Sequence, residues 1–171
     1  VLRSQSNPHF LFNTLNLLAS EIGRDSATAR ETVYDLADLL RDSMKAAESE
    51  FITLDQEIRL ATLYLTLQQK RFPERLKFEI DVAEDCRQLP VPALLLQPLV
   101  ENVVKHVVAH SNDMTSVCLW AHTSDNSLLI GVRDNGREVD TSSLEPGGGL
   151  RIVRDTLALH YNGQADMTFE S

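Results

Sequence analysis

The chain has 171 residues, and its composition, 43% hydrophobic with only 7 Gly and 6 Pro, is typical of a packed globular protein. Its 25 acidic residues outnumber 16 Lys and Arg, and the resulting net charge of -9 argues against nonspecific binding to nucleic acid or an anionic membrane. Cys86 and Cys118 form no Cys-x-x-Cys pattern, so they predict neither a disulfide framework nor a zinc site. No apolar run approaches the roughly 20 residues that cross a bilayer. Because the chain opens at Val1 within a helical pattern, we expect a fragment whose preceding part could hold a membrane segment.

The first part of the chain predicts two amphipathic helices. The first ends at Gly23, and Asp25 or Ser26 can cap the second. The first helix has apolar residues at Phe10, Leu11, Leu15, Leu18 and Ile22, and the second at Val33, Leu36, Ala37, Leu40 and Met44. Two such helices need a partner for their apolar faces. A second copy of the pair would give a dimeric four-helix bundle, and docking on the rest of the chain is the alternative.

A third helix and a strand follow. Thr53 and Gln56 form a capping-box pattern, and Pro73 ends the helix after Arg71. The apolar period then changes to two, which predicts a strand with one buried face. The alternating apolar residues are Leu76, Phe78, Ile80 and Val82.

After Pro73 the predicted order is strand, helix, strand, strand, helix, strand. The stretch ALLLQPLVENVVKHVVAH reads as a buried helix with Pro98 near its first turn, and residues 116–122 and 128–134 read as strands. A glycine-led helix and a last strand over residues 164–169 complete the series. We therefore predict an α+β fold, with helical residues 1–72 followed by a two-layer α/β domain of residues 73–171.

Polar residues interrupt the predicted buried helix. Glu101, Asn102, Lys105 and His106 lie within it, and the last three share one face by helical spacing. Such groups are usually paired or face a cavity when a helix is buried. They could equally line its solvent edge.

Two glycine-bearing turns accompany that helix. Asp134-Asn135-Gly136 follows a strand, where a carboxylate and a close backbone suit recognition of a base edge; a plain turn is the alternative. Gly147-Gly148-Gly149 precedes a helix, where backbone N–H groups suit a phosphate; a flexible loop is the alternative. The order and spacing of the three segments are compatible with a single cleft.

These segments resemble a known family. PALLLQPLVENVVKH, VRDNG and GGGLRIVRDTL resemble the N box and the two glycine boxes of the GHKL (Bergerat) ATP-binding fold in sensor histidine kinases. QSNPHFLFNTLN and LDQEIRLATLYLTLQQKRF resemble the LytS-like branch, and the resemblance covers nearly the whole chain.

The resemblance implies a phosphoacceptor, His9, whose imidazole is nucleophilic near neutral pH. Asn13, one turn later, would orient the ring or contact the incoming phosphate. No acidic residue follows His9, where many histidine kinases place a base, so we predict that Glu101 takes this part.

The resemblance also implies a site for ATP and Mg2+. Asn102 would ligate the Mg2+ that bridges the phosphates, and Lys105 and His106 would contact phosphate or ribose. Gly147 and Gly149 would let the mobile loop close over the phosphates.

At the adenine end, Asp134 would accept a hydrogen bond from the amino group of the base. Gly136, which has no side chain, would let the base approach the backbone closely. The family pattern D-x-G-x-G has a second Gly where this chain has Glu138. A side chain there could narrow the pocket or add negative charge near the nucleotide.

The resemblance implies the kinase core of a two-component sensor: a homodimer that phosphorylates its own histidine and passes the phosphoryl group to the receiver domain of a response regulator. It implies no nucleic-acid partner, and a cytoplasmic location within an inner-membrane sensor protein. One alternative is a degenerate signalling scaffold with weak nucleotide binding, to which Glu138 points. Another is a GHKL enzyme that hydrolyses ATP or phosphorylates serine, which would not need the NPHFLFN helix.

Overall fold

A computed structural model describes Leu15 and residues 26–109, 113–136 and 149–169. These residues form four helices and two small sheets, so the fold is α+β as predicted. The helices are α1 (Ser26–Ala46), α2 (Leu54–Arg71), α3 (Gln97–Val103) and α4 (Gly149–Tyr161). The strands are β1 (Phe51–Thr53), β2 (Leu76–Val82), β3 (Pro90–Pro92), β4 (Thr115–Ser124) and β5 (Ser127–Asp134).

Helix α2 begins as its sequence predicts. The Thr53 hydroxyl accepts the backbone N–H of Gln56 at 3.2 Å, and the Gln56 side chain accepts the N–H of Thr53 at 2.9 Å, which completes the capping box. The helix ends at Arg71, just before Pro73. The predicted start and end of this helix are therefore confirmed.

Helix α1 packs antiparallel against α2. Asp35 binds Lys70 at 2.7 Å and Asp42 binds Arg59 at 2.9 Å, so the beginning of one helix lies beside the end of the other. Each ion pair that is partly exposed to water contributes little to the stability of the fold. The apolar faces supply most of the attraction between the two helices.

The buried face of α1 differs from the predicted stripe. Leu36 and Leu39 are buried at 8% and 2% exposure, whereas Val33 and Met44 are 47% and 70% exposed. Within the predicted stripe, Leu36 is thus buried and Ala37 and Leu40 are half-buried. Packing against the rest of the described chain therefore covers only part of the apolar surface of this helix.

The larger sheet has the order β2–β4–β5, with β2 parallel to β4 and β4 antiparallel to β5. Its ladders align Leu76 with Thr115 and Val117 with Asp134. The buried residues of β4 alternate along the strand: Thr115, Val117, Leu119 and Ala121. Helix α2 packs on β2, and α3 packs on β5. The period-two pattern therefore predicted the face of the sheet that the helices cover.

Three segments differ from the prediction. β1 and β3 form an antiparallel ribbon that joins Phe51 to Pro92, although both strands are too short to give a periodic signal. Residues 93–96 form a loop, so the buried helix starts at Gln97, with Pro98 in its first turn as predicted. Residues 164–169 form no strand, because alternation alone does not supply the hydrogen-bonded neighbour that a strand requires.

One hydrophobic core includes residues of α1, α2, α3 and the larger sheet. The domain boundary near Phe72 stays a prediction, as does the helical pair formed with the segment before Gly23, which lies outside the described residues apart from Leu15. Both cysteines are free thiols, in agreement with the sequence analysis. Within residues 26–109, 113–136 and 149–169, no helix combines the length and the apolar character that crossing a bilayer requires.

Candidate functional site

Helix α3 carries two adjacent half-buried polar residues, Glu101 and Asn102. Gln97, one turn earlier, donates a hydrogen bond from its Nε2 to Glu101 Oε1 at 2.9 Å. Burial raises the pKa of the Glu101 carboxyl, and the hydrogen bond from Gln97 opposes that effect. A carboxyl group with a raised pKa binds a proton more readily near neutral pH, as a general base must.

Beyond Val103 the helix widens into a π-helical turn, Val104–Val108, which carries Lys105 and His106. The N–H of Ala109 donates to the carbonyl of Val104, five residues earlier, at 3.0 Å. Both Lys105 and His106 are exposed, whereas Asn102 is half-buried. The common face of these three residues was predicted from α-helical spacing, whereas Lys105 and His106 lie in the wider turn, so it stays a prediction. π-turns inside helices are frequent at functional sites.

The turn after β5 is held by its middle residue. Asn135 accepts the N–H of Ser116 on its Oδ1 at 2.7 Å and donates from its Nδ2 to the carbonyl of Met114 at 3.3 Å. Asp134, at the end of the strand, accepts the N–H of Gly136 on its Oδ1 at 2.8 Å. These bonds fix the Asp134 carboxylate at the strand end and leave its second oxygen for another donor. This role of Asn135 was not predicted from the sequence.

Gly136 lies directly against the π-turn. A Cβ built at Gly136 would overlap the Cγ1 atom of Val107, so only glycine fits without movement. The turn after β5 and the polar end of α3 are therefore neighbours.

Gly149, the last residue of the predicted glycine-rich segment, lies against the same helix, α3. A Cβ at Gly149 would lie 3.3 Å from both the Cβ and the carbonyl oxygen of Pro98, a tight contact. Helix α4, which Gly149 begins, packs along α3 and buries Leu150 and Val153. The two glycine-bearing segments thus approach the same helix, one near its start and one at its π-turn.

Several predicted site residues lie outside the described residues, namely His9, Asn13 and Gly147. Glu138, the departure from the glycine pattern, also lies outside them. The functional roles assigned to the predicted site residues, within and beyond the described ranges, stay predictions.

Glu57 on α2 is a residue that the sequence analysis missed. Its side chain is 1% exposed, and its Oε1 and Oε2 accept the N–H groups of Leu94 and Leu96, the latter at 2.9 Å. Burial raises its pKa to about 7, although these backbone hydrogen bonds and one from Leu95 lower it. A signal was present, because Glu57 occupies a place in the apolar stripe of α2, between Leu54 and Ile58.

Comparisons with known proteins agree with the motifs. A family model described as histidine kinase matches residues 1–76. The sensor protein LytS of Staphylococcus haemolyticus is 32% identical over 155 residues, which cover 91% of this chain and 26% of that protein. The sensor histidine kinase BtsS of Escherichia coli K12 is 35% identical over 153 residues, covering 90% of this chain and 27% of the relative. The LytS protein of Bacillus subtilis is 33% identical over 138 residues, covering 81% and 23%.

The chain belongs to the LytS-like sensor histidine kinases. It spans about a quarter of the length of these curated relatives.

In the described part of the chain, the residues fit a metal held jointly with a nucleotide better than a metal held by the protein alone. Within the described ranges, no group of three or more His, Cys, Asp or Glu could hold a metal ion by itself. In nucleotide sites Mg2+ takes one or two protein oxygens, and the phosphates supply others. The side-chain oxygen of Asn102, half-buried on α3, is one protein ligand of that kind.

Proposed function

We propose that this chain is the kinase core of a two-component sensor, which binds Mg-ATP beside α3 and transfers the γ-phosphoryl group to His9. The observation that carries the proposal is the packing of Gly136 and Gly149 against the helix that holds Asn102. A cleft bordered by a strand-end carboxylate and a glycine-led helix offers groups for both a base edge and phosphates.

The proposed reaction is a substitution at phosphorus. A ring nitrogen of His9 attacks the γ-phosphorus, the bond to the bridging oxygen breaks, and ADP leaves with the electron pair. The other ring nitrogen gives its proton to a base, for which Glu101 is our candidate because its pKa is raised by burial. Mg2+ on Asn102 and the phosphates would neutralise the charge that develops on the leaving group. The phosphoryl group then moves to an aspartate oxygen of a receiver domain.

Labelled ATP tests the acceptor. We expect acid-labile label on the wild-type protein and none on His9→Gln. His122→Gln, which changes an exposed histidine of β4, is the matched control and should keep the label. Label that persists in His9→Gln would refute the assignment.

Calorimetry tests the adenine contact separately from phosphoryl transfer. Asp134→Asn replaces an acceptor by a group that presents a donor, so ATP affinity should fall by roughly tenfold to a hundredfold. Asp125→Asn, in the exposed turn between β4 and β5, changes the net charge equally and should leave affinity unchanged. Equal affinities of the two variants would exclude Asp134 as the base-reading residue.

A homodimer is part of the proposal, and α1 supports it. Val33, Tyr34 and Met44 leave apolar surface exposed on this helix. A second copy of the helical region could cover it in a four-helix bundle. The other proposed partner is the receiver domain of a response regulator, and the proposed location is the cytoplasmic side of an inner membrane.

The second candidate function is a signalling scaffold that has lost nucleotide binding. Glu138, at a position where the family pattern has Gly, favours it. The absence of heat on titration with millimolar Mg-ATP would support the scaffold. If Glu138→Gly then bound ATP, the extra side chain would be the cause.

A further inference from the structure

Glu57 joins two parts of the chain that are distant in sequence. It lies on α2, and its two oxygens accept N–H groups 37 and 39 residues further along the chain, at Leu94 and Leu96. A buried carboxylate is costly unless its oxygens are hydrogen-bonded. Such a group therefore usually has a specific structural or functional role.

The segment that Glu57 binds is the loop that leads into α3. Leu94 has a φ of +60°, an unfavourable conformation for a residue with a side chain. Leu96 is the N-cap of α3, has no capping side chain of its own, and accepts the N–H groups of Leu99 and Val100 on its carbonyl. The Glu57 carboxylate thus binds the backbone N–H of the N-cap residue, as the Glu of a capping box does, and holds the loop in its strained shape.

The consequences extend along α3. Pro98, two residues after Leu96, is the residue that Gly149 contacts. Glu101 and Asn102 follow within the next turn. A shift of the loop would therefore displace the helix together with its contact to the start of α4.

We propose that Glu57 is a positioning residue: its carboxylate, bound to the N–H groups of Leu94 and Leu96, sets the place of α3 and of the polar residues on it. The consequence for ATP rests on the proposed function, whereas the positioning itself does not. Glu57 touches no reacting atom and acts through the loop of residues 94–96.

Hydrogen exchange of the nucleotide-free protein tests the positioning. Glu57→Gln keeps the size of the side chain but supplies one acceptor oxygen and turns an NH2 group toward the other N–H. We expect the amides of Leu94 and Leu96 to exchange about tenfold to a hundredfold faster, while that of Leu119 in β4 changes little. Leu39→Ala, a core truncation on α1, is the control for general destabilisation and should accelerate exchange without selectivity for the loop.

Calorimetry with Mg-ATP tests the consequence for the nucleotide. Glu57→Gln should weaken binding about tenfold, and Leu39→Ala should leave it unchanged at a temperature where both variants are folded. If Glu57→Gln accelerates all amides alike, or leaves Leu94 and Leu96 as protected as in the wild type, the positioning role is wrong. If the wild type binds no Mg-ATP, the proposed function fails, and selective exchange at the loop would still support the positioning by Glu57.

Discussion

The stability of this protein should fall as the pH rises through neutrality, because of one buried carboxyl group. Two effects compete at Glu57. The backbone N–H groups of Leu94, Leu95 and Leu96 favour the ionised form, and removal from water favours the protonated form. Burial prevails, and the pKa rises from 4.5 to about 7.

The sign of the effect follows from proton linkage. The folded protein holds the Glu57 proton more tightly than the unfolded chain does. The stabilising contribution is therefore fully present below the unfolded pKa of 4.5 and is lost as the pH rises through about 7. Because one pKa unit corresponds to about 1.4 kcal/mol, the full loss is about 3 kcal/mol, of which about 2 kcal/mol falls between about pH 5.5 and pH 8.5.

Urea unfolding of the wild type and of Glu57→Gln over that pH range measures this contribution. Other titrating groups, Glu101 included, cancel in the difference between the two proteins. We expect the free energy of unfolding of the wild type to decrease relative to that of Glu57→Gln by about 2 kcal/mol as the pH is raised. A difference that stays flat to within about 0.5 kcal/mol would show that the N–H groups balance the desolvation. A difference of opposite slope would show that they outweigh it.

Three further predictions concern the glycine-bearing turn and α1. Gly136→Ala places a methyl group against Val107 and should lower the free energy of unfolding by about 1–3 kcal/mol in urea titrations; no change would mean that the turn does not pack on the π-turn. Asn135→Ala removes hydrogen bonds to two backbone groups of the β4 region, and calorimetric melting should show a loss of about 1–2 kcal/mol. Val33→Asp combined with Met44→Asp charges the exposed edge of α1, so light scattering should show a monomer while circular dichroism shows an unchanged fold. A wild-type monomer, or a double variant that remains dimeric, would contradict the proposed bundle.

The sequence alone predicted the structure correctly where the interactions that determine it join residues only a few positions apart. Helix α2 begins at the capping box of Thr53 and Gln56 and ends just before Pro73, as predicted. Both ends could be predicted because the free backbone groups at a helix end form hydrogen bonds with residues close in sequence. The alternation along β2 predicted its buried face because side chains of a strand alternate by covalent geometry. The motifs alone also indicated the family that the comparisons support.

Contacts between distant segments decided the remaining features. The buried face of α1 depends on where α2 lies, so the apolar pattern alone did not show that Leu36 and Leu39 are covered within the chain while Val33 and Met44 stay exposed. Lys105 and His106 lie in a π-turn, which helical periodicity does not predict. The partners of Glu57 are nearly forty residues away. The apolar pattern could therefore mark this carboxylate as unusual, but only the packing of α2 on the loop before α3 identified what it binds.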